Sequence, residues 1–360
     1  MATDFRSSIP ASNQVTAPLI GERNYPLNCW WVAAFSDEVG SDLIGRWLLD
    51  IPVLLYRTTD GCAVAMEDRC PHRSAPLSLG CLRGDNVECG YHGFTFAPDG
   101  TCVRVPSMAA AVPPALRVRS FPVVEQFPFV WVYLGDPDKL SGVPPAPTLD
   151  WAEDESFGVV KGRMDMAVNY MLLKENVLDL THFGFVHAKS FKITDWVAPP
   201  QVTVDGDRVT YRQTFDRSPL PAMYAVPLHI EVGTPFNREQ IGAFVSPALQ
   251  IASVDFKDPE VSSDVAIGRL RVVHATTPID AIHMHYFWVV ARDHGTSKEE
   301  LTALQERTTI GFREDEQILE AVQRVILRDR RPIAAQEVSV KADTAAIQAR
   351  RAVQRWMARE

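Results

Sequence analysis

Two cysteine and histidine pairs stand close together in the stretch CPHRSAPLSLGCLRGDNVECGYHGF, residues 70–94. Cys70 and His72 form the first pair, Cys89 and His92 form the second, and 16 residues separate the two pairs. A cysteine and a histidine two or three positions apart can present sulfur and nitrogen to one metal site, and a second pair on a facing loop completes four ligands. An iron–sulfur cluster, a zinc ion and a loop-rich region without metal are all compatible with this pattern.

The composition of the chain limits its partners. Its 360 residues are 46% hydrophobic, enough for a large core, and the length predicts two domains. The formal charge of −9 and the lack of a Lys/Arg-rich run argue against nucleic acid or an anionic membrane as a partner. The amino terminus has no apolar signal region, and no run reaches the roughly 18 apolar residues that span a bilayer. Six scattered cysteines do not make a disulfide scaffold, so we expect a cytoplasmic protein.

Hydrophobic patterning predicts a small β-domain followed by a mixed domain. The expected strands of the first domain are 47–56, 62–68, 86–90 and 129–134, and a proline-rich connector follows at 135–149. In the second domain we expect helices at 170–183 and 297–327 and strands at 201–213, 226–233 and 264–292. The predicted division is an N-terminal segment 1–25, a first domain 26–140 and a second domain 141–360.

The two ligand loops resemble those of a known family. CPHR (70–73) and CGYHG (89–93) are similar to the loops of a Rieske [2Fe–2S] domain. The resemblance implies that Cys70 and Cys89 hold one iron while His72 and His92 hold the other, which raises the reduction potential. Phe94 departs from the family pattern, in which Trp is common, and is expected to shield the cluster without an indole N–H. Such a centre passes single electrons, so another site must use them.

A second polar group lies in ENVLDLTHFGFVH, residues 175–187. Asp179 and His182 are three positions apart and are expected on one helix face, and Gly184 offers a place for the helix to end so that His187 can join them. By itself this segment is also typical of histidines that cap a helix or satisfy a polar core. Behind a Rieske domain it resembles the mononuclear iron motif of Rieske non-heme iron oxygenases. The resemblance implies that His182 and His187 bind Fe(II).

The third iron ligand of that family is an aspartate nearer the carboxyl end, and FREDEQILE, residues 312–320, contains the candidates. The family's ligand precedes a helical Glu by five residues, which selects Asp315 with Glu320 as that Glu. Asp315 also lies beside the apolar stripe of the predicted helix, and Glu314 is the alternative. Two histidines and one carboxylate form a facial triad that leaves open positions for O2 beside a substrate.

The resemblance also implies roles for two neighbouring residues. In the family, the aspartate at the position of Asp179 bridges a metal-bound histidine and a cluster-bound histidine of the next subunit. The alternative is an acid that only fixes a histidine tautomer. Bridging requires a ring of subunits, so a homo-oligomer is expected, most simply a trimer. Asn176 is expected near the iron without binding it strongly.

Signals for the substrate pocket are weaker. In HMHYFW, residues 283–288, period two sends Met284, Tyr286 and Trp288 to one face, which we expect to border the pocket. A strand in a sheet core without ligand contact explains the same run, and a second metal at His283 and His285 is a further alternative. The remaining candidates for the cavity lining are His274, Asn237 and Phe244.

The resemblance is closest to the compact oxygenase components of vanillate and dicamba O-demethylases. It implies an α+β fold, with a Rieske β-domain followed by an α+β catalytic domain that has a curved antiparallel sheet and helices. Because the chain lacks G-x-G-x-x-G after a strand, electrons from NAD(P)H are expected through a separate reductase, possibly with a ferredoxin. The implied reaction uses O2 to mono-oxygenate an aromatic substrate, such as an aromatic acid, by O-demethylation.

Other functions remain open at this level. Ring hydroxylation or N-dealkylation would use the same iron site. An electron-transfer protein whose second domain only binds a partner, and a zinc-stabilised ligand-binding protein, are alternatives of a different class.

Overall fold

The structure is a computed structural model, and it describes residues 24–109, 111–149, 151–193, 195, 198–261, 265–329 and 338–360. The expected N-terminal segment 1–25 therefore lies almost entirely outside the described residues. The division into 26–140 and 141–360 stays a prediction.

Short antiparallel strands build the amino-terminal part of the protein. They are β1 (Trp30–Phe35), β2 (Ile44–Leu48), β3 (Ile51–Arg57), β4 (Ala63–Glu67), β5 (Cys81–Arg83), β6 (Asn86–Glu88), β7 (Thr95–Phe96), β8 (Cys102–Arg104), β9 (Ser120–Phe121), β10 (Val123–Gln126) and β11 (Phe129–Tyr133). In the described part of the chain they form three sheets, in the orders β1-β11-β10, β2-β3-β4-β9 and β5-β6-β7-β8. The last of these sheets carries the Cys89 loop between β6 and β7.

The predicted strand at 47–56 is wrong in one respect, because the segment is a hairpin of β2 and β3. Leu49 and Asp50 form its turn, with positive φ angles of 54° and 62°. Left-handed backbone at two successive residues reverses the chain as a tight hairpin turn requires. The other three predicted strands of this part are confirmed as β4, β6 and β11.

One large antiparallel sheet dominates the carboxyl-terminal part. Its order among the described residues is β12-β18-β17-β16-β15-β14-β13. The strands are β12 (Gly158–Met166), β13 (Gln201–Asp205), β14 (Arg208–Pro219), β15 (Pro235–Ser246), β16 (Leu249–Lys257), β17 (Gly268–Pro278) and β18 (Met284–Arg292). The helices are α1 (Tyr170–Leu178), α2 (Ala222–Ala225), α3 (Lys298–Arg328) and α4 (Thr344–Met357). The expected α+β class with an antiparallel catalytic sheet is confirmed.

Several predicted elements of this part differ from the observed ones. The strand expected at 201–213 is the hairpin of β13 and β14, and the run 264–292 is divided into β17 and β18. The strand expected at 226–233 is wrong, because these residues form turns after α2. Leu228 and Ile230 pack against the main core while Val226 and Val232 are exposed, and hydrophobicity alone does not distinguish such a segment from a strand.

The two parts share one hydrophobic core. Trp31 of β1 packs edge-on against Tyr170 of α1, with ring centroids 5.8 Å apart, and Phe35 meets Phe287 of β18 at 5.5 Å. Thr277 of β17 donates a hydrogen bond of 2.6 Å to the carbonyl of Val32. A separate apolar cluster lies beneath the Cys70 and Cys89 loops. The amino-terminal part is thus packed firmly on the large sheet.

Helix α3 crosses the large sheet and begins and ends close to the predicted residues. Ser297 caps its first turn and Glu300 completes a capping box, which is a strong start signal. Its buried stripe includes Leu304, Thr308 and Phe312 and continues to Asp315. Since a helix buries positions three and four apart, Asp315 is carried inward with its apolar neighbours. Among the described helices, none combines the length and apolar character needed to cross a bilayer.

Candidate metal centres and the adjoining cavity

The two cysteine loops have the same backbone design. The amide of Cys70 donates to the carbonyl of Ala75, and the amide of Cys89 donates to that of Phe94, each over 2.8 Å. Four residues after each cysteine, the chain takes a positive φ angle, 58° at Ser74 and 70° at Gly93. Matching loops therefore present matching pairs of donors from two sides of one site.

The donors of this first site are divided between a buried side and an exposed side. The thiols of Cys70 and Cys89 are each 2% exposed, whereas His72 and His92 are exposed, with ring centroids 4.5 Å apart. Burial raises the pKa of the Cys70 thiol to about 11, while the amide of His72 donates to its sulfur and favours the thiolate. Two inner thiolates and two outer imidazoles fit the ligand set of a Rieske [2Fe–2S] cluster. Phe94 stacks on His72 at 4.8 Å and covers its ring.

A second group of metal-ligating atoms is formed by His182, His187 and Asp315. One ligand atom from each lies within 4.8 Å of the others. Asp315 Oδ1 is 3.6 Å from His182 Nε2 and 3.2 Å from His187 Nε2. The buried Nε2 of His187 has no hydrogen-bond partner in the structure. An unpaired nitrogen facing a carboxylate and a second imidazole fits a two-histidine, one-carboxylate iron site.

The chain around His182 departs from the predicted continuous helix. Helix α1 ends at Leu178, and a 3₁₀ turn follows at Leu180–Gly184. The Asp179 carboxylate caps this turn by accepting from the amide of Thr181 at 3.0 Å. The expectation that Asp179 and His182 share a face of one helix is therefore wrong. The break occurs at Asp179, before Gly184, because aspartate favours the cap position.

Hydrogen bonds hold both imidazoles with Nε2 toward Asp315. His182 Nδ1 lies 2.6 Å from the carbonyl oxygen of Asp179, and His187 Nδ1 lies 2.9 Å from Glu314 Oε2. A proton on Nδ1 satisfies each contact and leaves the Nε2 lone pair for a metal. Burial lowers the pKa of His182, which also favours the neutral ring. Glu314 thus lies behind His187, and Asp315 is the acid that faces both Nε2 atoms.

Asn176 also reaches this group. Its Nδ2 donates 2.9 Å to Asp315 Oδ1 and lies 3.5 Å from His182 Nε2. The amide thereby holds one oxygen of the carboxylate in place. Asn176 thus lies beside the three candidate ligands, and its place near an iron stays a prediction.

A cavity of about 90 Å³ adjoins His182, His187 and Asp315. Its wall is mainly apolar, with contributions from Val177, Phe183, Met223, Val254, Leu270 and Phe312. Polar side chains are contributed by Asn176, Tyr224, Gln240, His274 and Thr308. The volume is below the 300–1,000 Å³ of common ligand pockets, so wall residues must move around an aromatic ring. Met223 is half-buried and unbranched, which suits it to that adjustment.

Of the six predicted pocket residues, His274 lines the cavity. Its Nδ1 lies 2.7 Å from the Tyr286 hydroxyl, and burial lowers its pKa to about 3, so the ring is neutral. The other five lie outside the lining, which corrects the prediction. Tyr286 and Trp288 are covered by Phe312 of α3, whose ring centroid lies 5.5 and 5.4 Å from theirs.

The other excluded residues have separate reasons. Met284 is fully buried at the start of β18, and Phe244 lies beside Lys174. Asn237 faces away from Gln240, and its side-chain oxygen accepts a hydrogen bond from the amide of Arg217. His283 and His285 do not meet: His283 bonds to Asp280, and His285 bonds to Asp165. Nothing in the described residues joins these two histidines in a second metal site.

Sequence reasoning missed two buried polar residues. Gln240 faces inward from the alternating run of β15, a signal that period two would have revealed. Lys174 is fully buried, and burial lowers its pKa to about 7. Its Nζ has no hydrogen-bond partner within the described ranges of the chain. A single lysine in a helical segment carries no sequence signal for such burial.

Comparisons with known proteins agree with both metal sites. Residues 29–128 match the Rieske [2Fe-2S] domain, and residues 166–359 match the vanillate O-demethylase oxygenase C-terminal domain. The chain is 32% identical to the toluene-4-sulfonate monooxygenase system iron-sulfur subunit TsaM1 of Comamonas testosteroni, over 83% of this chain and 88% of that protein.

Two further comparisons cover nearly the whole length. The vanillate O-demethylase oxygenase subunit of Pseudomonas sp. strain HR199 is 31% identical over 93% of this chain and 96% of its own. The crystal structure of dicamba monooxygenase bound to 3,6 dichlorosalicylic acid superposes with a TM-score of 0.86 at 28% identity, covering 92% of this chain and 97% of the other. The chain therefore belongs to the Rieske-type oxygenase components with a vanillate O-demethylase oxygenase C-terminal domain, and its cofactors are a [2Fe–2S] cluster and a mononuclear non-heme iron.

Proposed function

We propose that this oxygenase component removes the methyl group of an aromatic methyl ether, using O2 and electrons from a separate NAD(P)H-dependent reductase. The observation that carries the proposal is the apolar cavity directly beside His182, His187 and Asp315. The relatives named vanillate and dicamba O-demethylase support the reaction type. The described fold and sequence support a reductase partner, since no nucleotide-binding glycine motif follows a strand.

The roles of the metal-site residues form part of the proposal. Cys70, His72, Cys89 and His92 would hold the cluster, and His182, His187 and Asp315 would hold the iron. When bound, the cluster relays single electrons and the ferrous iron supplies O2 activation. The chain's own residues then set the conditions: the apolar wall excludes water from the reacting end, and the carbonyl of Asp179 keeps a proton on His182 Nδ1.

Glu314 is proposed to orient His187 rather than to bind the iron. Its Oε2 accepts from His187 Nδ1 at 2.9 Å and from the Ser190 hydroxyl at 2.5 Å. A carboxylate in this position fixes the ring and makes the opposite nitrogen a stronger ligand. Asn176 is proposed to restrain Asp315 in the same manner, through its hydrogen bond to Oδ1.

We also propose that the protein works as a homo-oligomer, most simply a trimer, in the cytoplasm. Large apolar side chains are exposed beside both sites: Leu79 and Tyr91 at the cluster loops, 77% and 66% exposed, and Phe185 near the triad, 86% exposed. Exposed apolar patches favour contacts between proteins. In a ring of subunits, Asp179 would bridge the two sites, with its backbone carbonyl on His182 Nδ1 and its carboxylate on a cluster histidine of the partner.

The proposed reaction is tested by formaldehyde release. Purified protein is supplied with iron, a surrogate reductase and NADH, and is assayed with methoxylated aromatic compounds. We expect formaldehyde in proportion to the O2 consumed. The His182→Ala variant should lose turnover while it keeps the visible spectrum of the cluster.

The matched control is Glu316→Gln on α3, because Glu316 pairs with Arg313 and does not face the site. Full turnover by His182→Ala would contradict the proposed iron site. Hydroxylated products without formaldehyde would replace demethylation by ring hydroxylation.

A further inference from the structure

The cavity has a metal end and a distal end. His274 packs against Phe312, one helical turn before Asp315, and so marks the metal end. Gln240 marks the distal end. It pairs across the sheet with Val254, and Val254 pairs with Leu270 of β17. Leu270 precedes His274 on that strand by four residues. At about 3.4 Å per residue, Gln240 lies roughly 13 Å further along the strand direction than His274. A substrate that reacts at the metal end extends toward Gln240.

No lysine or arginine belongs to the part of the lining that the structure describes. Fe(II) bound with one carboxylate would leave a single positive charge, but that charge belongs to the reacting end. His274 is neutral, since burial holds its pKa far below the ordinary value. An anionic group at the distal end would therefore lose its hydration without gaining a counter-charge.

Arg238, a buried cation on the same strand, does not change this result. It lies two residues before Gln240 on the same face of β15, but its Nη2 is 2.6 Å from the Asp195 carboxylate. Its guanidinium stacks on Phe215 at 3.8 Å and lies 5.2 Å from the ring of Tyr224, a residue of the cavity wall. The ion pair neutralises the arginine, and aromatic rings cover it.

Gln240 itself is a buried polar group in need of a partner. Gln240 is 4% exposed and lines the cavity, and among the described residues its Oε1 has no hydrogen-bond partner. The Tyr211 hydroxyl is its polar neighbour in the sheet. Buried amides without partners cost folding free energy, and a ligand that supplies the missing hydrogen bond recovers it. An amide offers one acceptor and two donors without charge.

We propose that Gln240 is a specificity-determining residue that binds an uncharged, hydrogen-bonding group of the substrate at the end remote from the iron. The preferred substrates are then neutral aromatic ethers, and aromatic carboxylates are disfavoured. This inference deepens the proposed function and rests on it. It also revises the expectation of an aromatic acid as substrate.

The test compares two probes that differ only in the distal group, the neutral amide of 4-methoxycinnamamide and the anionic carboxylate of 4-methoxycinnamate. The amide can also donate hydrogen bonds, whereas the carboxylate only accepts them. Their dissociation constants are measured by titration calorimetry on the iron-loaded, full-length protein under anaerobic conditions without reductase. The amide should bind at least about tenfold more tightly than the carboxylate. Gln240→Leu should weaken amide binding about tenfold and leave carboxylate binding unchanged. Gln240→Met, which keeps the length of the side chain, should do the same and serves if the leucine variant does not fold.

The control is Gln305→Leu, the same substitution on α3 at a residue whose amide donates to the carbonyl of Lys161 and which is not part of the cavity lining. It should leave both affinities unchanged. Tighter binding of the carboxylate, no binding of either probe, or an equal loss in the Gln305 variant would overturn the proposal. Tighter carboxylate binding that is lost in Arg238→Met would assign the distal end to Arg238 instead.

This experiment is separate from the test of the proposed function. It needs neither electrons nor O2, so the affinities stand whether or not turnover is observed. If formaldehyde is never released while the amide preference holds, the demethylation fails and the distal specificity does not. If formaldehyde is released but the amide is not preferred, the distal specificity fails and the demethylation does not.

Discussion

Replacement of Glu314 tests whether a carboxylate behind His187 stabilises the iron site. In Glu314→Ala, His187 Nδ1 loses its 2.9 Å contact and Ser190 loses its partner, so the ring is free to turn. A hydrogen bond to a charged group contributes about 1.5–3 kcal/mol, which corresponds to a factor of roughly 10–100 in affinity. Glu314→Gln keeps an acceptor but removes the charge, so its Fe(II) affinity should fall by about tenfold, toward the lower end of that range.

The measurement is the Fe(II) dissociation constant at the mononuclear site, determined anaerobically by competition with a coloured chelator. The absorbance of the [2Fe–2S] cluster must remain unchanged, which shows that the fold and the first site are intact. Glu316→Gln on the same helix is the control, because Glu316 contacts Arg313 at 2.6 Å and not His187. The reasoning is refuted if Glu314→Ala binds Fe(II) within about twofold of the parent protein, or if the Glu316 variant shows an equal loss.

Three further predictions concern other parts of the molecule. Lys174→Met should raise the denaturation midpoint at pH 7, because burial lowers the pKa of Lys174 from 10.5 to about 7. Because the pKa of Lys174 is lower in the folded state than in the unfolded state, the buried lysine destabilises the fold by roughly 5 kcal/mol, at 1.36 kcal/mol per pKa unit. This destabilisation is complete below pH 7 and shrinks as the pH rises toward 10.5. A stability gain of Lys174→Met that grows with pH would contradict the prediction. Gly311→Ala should lower the melting temperature, because the new Cβ would lie 2.1 Å from Phe191 Cζ. This clash opposes the helix preference of alanine over glycine, which is about 1 kcal/mol. An increased melting temperature would show that Phe191 moves freely. Cys89→Ser should abolish the visible and spin-resonance signals of the cluster but leave Fe(II) binding at the triad unchanged, and loss of both metals would show that the two sites do not fold independently.

The cluster site was predictable because its ligands are local in sequence. Cys70, His72, Cys89 and His92 fall within 23 residues, and the loop chemistry around them is set by neighbouring residues such as Gly93. The resemblance to a Rieske domain then identified the family, which the comparisons confirm. The choice of Asp315 as the third iron ligand could not be made from local sequence. Asp315 lies 128 residues beyond His187, and three adjacent acids were candidates.

The sequence by itself determined which side chains can bind a metal. Its periodicity also indicated which face of a strand or helix each of them occupies. Only the tertiary structure decided which acid of α3 faces the histidines, since that depends on how the helix lies on the sheet. It also decided that Phe312 covers Tyr286 and Trp288, and that Gln240 lines the cavity. The physical reason is that ligand spacing and periodicity act between near neighbours in the chain. The lining of a cavity depends on packing between elements that the sequence keeps far apart.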